Sequence, residues 1–326
     1  MDPSGPQVSV VMPAYNAASF IAQAIESILN QTLRNFELII VDDGSTDTTA
    51  QIIADYAARD PRIKAIQGTH RGVSAALNLG LAEARAPWIA IMHADDVALP
   101  RRLERQLACA ASDPRVIIWG ANGYHIGVSG KRLSAFFVGP TTHEEFEARR
   151  AKFEIVQVIH PTALLRRDVV LEVGGYDELF DAGEDIELFE RMLVYGELRT
   201  LDEPLIEYRV HANSLSMQRH LQIVTIMEYV KERQRCRLLG EPLPDFAAFA
   251  QQVDKARGLA RLRVLVQESA RLNYRSAGLA VGEQRYVPAV YHMMLALLFN
   301  PRYATERVWR QVFSGRARRL LKTRTE

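Results

Sequence analysis

Apolar residues in the first hundred positions come in short runs separated by longer amphipathic stretches. Val8-Ser9-Val10-Val11-Met12, Phe36-Glu37-Leu38-Ile39-Ile40-Val41, Ile63 to Gln67 and Trp88 to Met92 are four such runs. Between them, Ser19 to Asn30, Thr46 to Ala58 and Val73 to Ala84 carry apolar residues at helical spacing. A further helix is predicted near Pro100, with proline in the first turn, where its missing N–H costs nothing. Runs apolar on both faces, alternating with helices, predict a mostly parallel central α/β sheet covered by helices on both faces.

The pattern changes after residue 115. From Val116 to Val138 it is irregular and β-like, punctuated by Gly120, Gly123, Gly127 and Gly130. A helix is expected over Thr141 to Lys152, with Thr141 and Glu144 as its capping box. A strand at Thr162–Leu165, the Gly174-Gly175 turn, a helix from about Ile186 to Tyr195 and a last strand at Leu205–Val210 follow. Beyond Ser214 the chain reads as helical to Leu321, with breaks near Gly240–Pro244, at Pro288 and at Asn300-Pro301. The expected organisation is an α/β domain over 1–213, divided near residue 115, and a helical C-terminal region over 214–326.

Composition removes several function classes. The 326 residues carry a formal charge of +1, with 24% charged and 48% apolar residues, as in a soluble globular protein without a global bias toward nucleic acid. Cys109 and Cys236 are the only cysteines, which excludes a disulfide framework and fits a reducing compartment. The N-terminus lacks the basic start and apolar stretch of a secretory signal. Val287 to Phe299, interrupted by Pro288 and His292, falls short of the ~20 residues needed to span a bilayer. A cytoplasmic protein is expected. Near the C-terminus, Val308, Trp309, Val312, Phe313, Leu320 and Leu321 recur at helical spacing among arginines. That segment has two readings: peripheral contact with an anionic inner membrane face, or packing on the protein or a second copy in a homodimer.

Ligands bind open parallel sheets at the carboxyl ends of the strands, so the residues after each strand carry the candidate chemistry. They are Pro13-Ala14-Tyr15-Asn16, Asp42-Asp43-Gly44-Ser45, His70-Arg71-Gly72 and His93-Ala94-Asp95-Asp96. Each can be a turn or helix cap by itself; co-location at one sheet edge is not something turns require. A magnesium or manganese ion takes one or two carboxylates plus phosphate oxygens, and Asp95, beside Asp96, can supply the carboxylate. Tyr15 can stack on a base, Asp43 can accept from a ring N–H or ribose hydroxyl, and Arg71 can neutralise phosphate. The set describes a nucleoside-diphosphate site. No Gly-x-Gly-x-x-Gly follows the first strand and no Gly-x-x-x-x-Gly-Lys-Ser/Thr occurs, which excludes the dinucleotide-binding and P-loop alternatives.

The same segments resemble family-2 glycosyltransferases of the GT-A fold. The resemblance lies in Val8 to Asn16, Ser27 to Thr32, Val41 to Asp47, Gly72 to Ala76, Asn78-x-Gly80, Trp88 to Asp96 and Pro100-x-Arg102-Leu103. It resumes at His160-Pro161-Thr162, Gly174-Gly175-Tyr176-Asp177, Glu184-Asp185-x-Glu187-Leu188 and Tyr208-Arg209-Val210-His211. It implies inverting transfer from a nucleoside-diphosphate sugar, usually UDP-linked, to a glycan or lipid-linked hydroxyl, in polysaccharide or surface-glycan synthesis, with a divalent metal (Mn2+ or Mg2+) on the diphosphate. Residues 1–115 become the nucleotide half and 116–213 the acceptor half. Pro13, Tyr15 and Asp43 would hold the base, Asp95 the metal, and Asp185 would be the catalytic base. Glu184 would orient the acceptor or cap its helix. His160 falls on the acceptor side, His211 approaches the metal or diphosphate, and Arg209 could meet a phosphate. The chain departs from the pattern twice: His93 replaces the first Asp of Asp-Ala-Asp-Asp, and Leu77 stands where many members have Arg, leaving Arg71 as a substitute phosphate contact. The rival reading is a non-catalytic nucleotide-sugar-binding scaffold on the same fold.

Overall fold

The computed structural model describes residues 5–211, 219–255, 259–282 and 284–313. The basic positions Arg316, Arg318, Arg319, Lys322 and Arg324, with Leu320 and Leu321, lie outside these.

The first half alternates as its pattern predicts. Strands β1 (Val8–Ala14), β2 (Phe36–Asp42), β3 (Ile63–Gln67) and β4 (Trp88–Ile91) are joined by helices α1 (Ile21–Leu29), α2 (Thr49–Ala57) and α3 (Val73–Glu83). All pairings among these strands are parallel: β3 with β2, β2 with β1, and β1 with β4. Period-2 alternation divides β1 between two cores. Val8, Val10 and Met12 pack with Ile21, Ile25 and Ile28 of α1, while Val11 packs with Leu77 and Leu81 of α3. Gly80 lets α3 approach: a Cβ there would lie 2.4 Å from Val11 Cγ1.

Past β4 the sheet becomes mixed. A two-residue strand β5 (Val97–Ala98) and helix α4 (Arg102–Ser112) lead to β6 (Val116–Ile126), β7 (Arg132–Phe136) and α5 (His143–Arg150). A 3-10 turn (His160–Thr162), β8 (Leu164–Arg166), α6 (Arg167–Glu172), α7 (Glu184–Met192) and β9 (Glu197–Arg209) follow. The strand order is β3-β2-β1-β4-β8-β6-β9-β5, with β7 beside β6. β8 runs antiparallel to both β4 and β6, β6 and β9 are parallel, and β5 is antiparallel to β9. The sheet is therefore parallel among β1 to β4 and mixed beyond them.

Several boundaries differ from the sequence pattern, each for a local reason. β9 begins eight residues before the expected Leu205, because Asp202-Glu203-Pro204 interrupts the apolar alternation. The structure absorbs that interruption as irregular register opposite Ala121–Gly123. Pro100 lies ahead of α4, whose N-cap is Arg101, rather than in its first turn. The capping box of α5 is one residue later than expected. Thr142 accepts from the Glu145 amide, and the Glu145 carboxylate accepts from Thr141 N at 2.8 Å. Helix α7 starts at Glu184 rather than Ile186, with Gly183 as N-cap in the left-handed region at φ 74°.

Four-fifths of the expected helical region is described: α8 (His220–Leu239), α9 (Phe246–Lys255), α10 (Leu259–Gly282), α11 (Tyr286–Phe299) and α12 (Pro301–Phe313). The described residues form two compact units, one drawn from 5–126, 134–209 and 222–244, the other from 127–133, 210–211, 219–221, 245–255, 259–282 and 284–313. Most of α8 thus belongs to the sheet unit. Buried charges fasten it to α7: Glu187 pairs with Arg191 and Arg233, each at 2.6 Å, and Glu190 accepts from Arg150 and Gln234, each at 2.7 Å. In the second unit, Tyr274 of α10, Ala296 of α11 and Ala304 of α12 form a small apolar centre. Cys109 and Cys236 are free thiols.

Candidate functional site

The strand exits of the first half are stitched to one another by polar contacts. Asn16, at φ 47°, uses its side-chain carbonyl to accept from Thr46 N at 2.8 Å and Asp47 N at 3.3 Å, which ties the β1 exit to the β2 exit. Asp43 is buried, and its carboxylate accepts from Arg71 N at 2.9 Å and Gly72 N at 2.8 Å. It therefore orders the loop after β3. Pro13 is half-buried in β1, while Tyr15 is exposed and stacks on His70 with ring centroids 4.3 Å apart. The sequence pointed to Tyr15 alone; the stack makes it half of a two-ring platform. Arg71 extends to Glu178 at 2.5 Å, so its charge is already shared with a carboxylate on the 176–181 loop.

Leu77 is fully buried in the core between α3 and the sheet, and faces no ligand. The position is filled by packing.

The exit of β4 gathers the titratable groups. His93, Asp95 and Asp96 each offer a ligand atom within 4.8 Å of the others. Asp96 is buried; its Oδ1 accepts from Arg209 N at 2.7 Å, whereas its Oδ2 has no hydrogen-bond partner and lies 3.7 Å from His93 Nδ1. Burial and the neighbouring Asp95 raise the Asp96 carboxyl well above its ordinary range. Burial likewise lowers the Arg102 guanidinium to about 9, opposed by the attraction of Asp96. Arg102 donates to Ile91 O at 2.8 Å, bracing the end of β4 from within. An orphaned buried carboxylate oxygen beside an imidazole and a second carboxylate is a donor set that fits a divalent cation of the manganese or magnesium type.

Arg209 is 2% exposed. Its Nε donates to Asp95 O at 2.7 Å, its terminal amine reaches Gln23 at 2.7 Å, and its guanidinium lies over the Phe20 ring. Through these bonds Arg209 holds the 95–96 turn in place. His211 follows β9, is half-buried, and belongs to the second unit.

A chain of contacts runs from His93 to the start of α7. His93 Nε2 lies 3.2 Å from His160 Nδ1, His160 Nε2 lies 2.7 Å from the Tyr176 hydroxyl, and Glu184 Oε1 is 3.5 Å from His160 Nδ1. Burial lowers both imidazoles, His160 the more strongly because His93 adds to the effect, so both are neutral near pH 7. Burial and the Glu184 and Asp185 charges raise the Tyr176 phenol, which stays a hydroxyl. Asp185, the second residue of α7, has its carboxyl pushed up to about 6 by burial, against the lowering effect of the Ile186 and Asp185 amides. A carboxylate poised there can accept a proton near neutral pH. Tyr176 and Arg102 were legible only as motif members, and their roles needed the fold.

A cavity of about 410 Å3 lies within the sheet unit, lined by the 173–177 loop, Glu187, Arg191, Tyr229 and Arg233. It shares Tyr176 with the contact chain but contains none of the strand-exit residues, so cavity size is a poorer guide to the chemistry than the carboxylates are.

Residues 9–174 match the family described as Glycosyl transferase family 2. EpsE of Bacillus subtilis (strain 168), described as a glycosyltransferase, is 34% identical over 261 residues, covering 78% of this chain and 90% of EpsE. Among solved structures, S. aureus TarS 1–349 in complex with UDP is 14% identical with a TM-score of 0.55, covering 91% of this chain and 92% of that one. The mannosyltransferase PcManGT from Pyrobaculum calidifontis, in complex with GDP-Man and Mn2+, is 18% identical with a TM-score of 0.54, covering 92% and 88%.

Proposed function

The chain belongs to glycosyl transferase family 2 and is a glycosyltransferase, and on that premise we propose that it moves a sugar from a nucleoside-diphosphate donor to a hydroxyl acceptor with inversion. The observation that carries the reading is the joining of the cation-capable turn at His93, Asp95 and Asp96 to the Glu184-Asp185 helix start through His160. Metal at one end and base at the other is what such a transfer requires.

In this reading the Tyr15–His70 platform and the buried Asp43 receive the base and ribose, UDP being the donor nucleotide we favour. UDP and GDP-Man in the two structural neighbours support a nucleoside diphosphate in general. His93, Asp95 and Asp96 would hold a divalent cation, whose charge offsets that of the diphosphate as it leaves. Asp185 takes the proton of the acceptor hydroxyl as its oxygen bonds to the anomeric carbon and the bond to the diphosphate breaks. The carboxylate stands in the role of the base in inverting glycosidases, with the acceptor replacing water. Glu184, beside His160, positions the acceptor. A glycan or lipid-linked acceptor and a role in surface polysaccharide synthesis in the cytoplasm complete the proposal.

The test is a mass-spectrometric screen of UDP-, GDP- and dTDP-sugars with and without manganese, scored for transfer and donor hydrolysis. Manganese-dependent turnover of at least one donor is expected. Nucleotide binding without turnover of any donor, over a wide acceptor set, would replace this reading with a non-catalytic scaffold.

A further inference from the structure

In the second unit, α11 presents an apolar stripe to the outside. Val287, Val290, Tyr291, Met294 and Leu298 recur at helical spacing and are each between 60% and 83% exposed. Tyr286 and Leu297 border the same stripe. The helix contains no Asp, Glu, Lys or Arg. Its other face is already used: Ala289 and Ala296 are buried, Ala296 packs with Tyr274 of α10 and Ala304 of α12, and His292 bonds to Asn273 at 2.9 Å. Ala289, Ala296 and Met293 face the protein, and most of the large apolar residues face outward. A contiguous exposed patch of this kind marks an interaction surface.

Length and flanking charge identify the partner. The 14 residues of α11 reach only about 21 Å at 1.5 Å per residue, too short for a bilayer core of ~30 Å. Among the described residues no helix is long and apolar enough to cross a membrane. Arg285 precedes the stripe, and residues 301–326 carry eight Arg and Lys against two Glu. An uncharged apolar face bounded by arginines matches the interface of an anionic bilayer, with acyl chains under the stripe and phosphates beside the guanidiniums. A protein partner would be expected to meet the stripe with its own polar rim, for which an excess of one charge is poorly suited.

We infer that α11 lies in the plane of an anionic lipid surface, apolar stripe inward, with the flanking Arg285, Arg302 and Arg307 at the headgroups. This inference rests on the second unit alone and is independent of the chemistry proposed for the sheet unit.

The full chain is tested by flotation with phosphatidylcholine vesicles, with and without phosphatidylglycerol, at low and high salt. The expected result is flotation with the anionic vesicles that weakens as salt rises. V290D combined with M294D, at exposed positions, is expected to lower vesicle partition roughly tenfold or more with an unchanged melting temperature. R302Q combined with R307Q is expected to reduce the preference for anionic over neutral vesicles. No flotation with any vesicle, or flotation indifferent to the aspartate pair, overturns the inference. So does a lipid-free dimer that the aspartate pair dissolves, which would assign the stripe to a second copy of the chain.

Discussion

His93 Nε2 lies 3.2 Å from His160 Nδ1, and this single contact joins the turn after β4 to the segment ahead of β8, 67 residues later. Between two neutral imidazoles one nitrogen must donate and the other accept. A cation held by His93 Nδ1 requires the proton on Nε2; His160 then accepts at Nδ1 and donates from Nε2 to the Tyr176 oxygen. The tautomer of each ring in the chain is thus set by what His93 binds.

This arrangement yields the first prediction. Asp95→Asn should abolish manganese-dependent turnover while leaving the melting temperature within a degree or two, because Asp95 is only half-buried and the brace from Arg209 reaches its backbone carbonyl. Manganese titration by calorimetry should show the affinity loss directly. Turnover by the wild-type protein that is undiminished in EDTA would remove the metal from the mechanism.

Asp185 provides the second. Its carboxyl must be ionised to accept a proton, so kcat should rise as pH increases through about 6 and level off above. Asp185→Asn should lower turnover by ~100-fold or more and remove that limb, with nucleotide affinity unchanged. The raised pKa also fixes the sign for stability. The folded state holds the proton more tightly than the unfolded chain, so the stabilisation is present at low pH and lost as pH rises through about 6. At pH 8 the Asn variant should therefore melt no lower than wild type. A clear drop in melting temperature with near-normal activity would make Asp185 a helix-cap residue and no base.

A third concerns Asp43, whose carboxylate serves two backbone amides of the next loop. Asp43→Ala removes the acceptor of both amides, which belong to the exposed Arg71 and half-buried Gly72, at a cost of ~0.5–1.5 kcal/mol per bond lost. Nucleoside-diphosphate affinity should fall roughly tenfold or more, at ~1.4 kcal/mol per factor of ten. Denaturant unfolding and nucleotide calorimetry separate the two effects. Lost stability with an unaltered Kd would confine Asp43 to loop ordering.

The fourth tests packing under the site. A Cβ at Gly80 would meet Val11 Cγ1 at 2.4 Å, far inside contact distance. Gly80→Ala should therefore destabilise the protein by about 1–3 kcal/mol through overpacking, despite alanine's better helix propensity. Combining it with Val11→Ala should recover part of the loss. A Gly80→Ala variant as stable as wild type would show that α3 can shift away from β1.

The parallel half of the fold was legible because β1 to β4 and their helices obey one period at a time, and the strand ends that the apolar runs locate place Asp43 and Asp95 just beyond them. The β9 start was hidden by Pro204, which the sheet accommodates only because of the irregular register opposite it. Glu184 and Asp185 look like residues ahead of a helix since the signal that starts α7 is the backbone conformation of Gly183, which no side-chain pattern reports. Arg209 reads in sequence as a phosphate contact or a solvated strand-edge cation. Its burial depends on Asp95, Asp96, Gln23 and Phe20, residues more than a hundred positions away, and no local rule connects them.

The bond from Arg209 to Asp96 spans 113 residues, and β5, next to that turn, has β9 as its partner. Chains emerge from the ribosome N-terminus first, and pairings of high sequence separation form late. The parallel half can be laid down while β9 is still unmade, but Asp95 and Asp96 lack the bonds from Arg209 until β9 arrives. A nascent or truncated chain ending before β9 would carry the Tyr15–His70 stack complete and the Asp95-Asp96 turn without two of its bonds, so the two ends of one sheet edge would mature at different times.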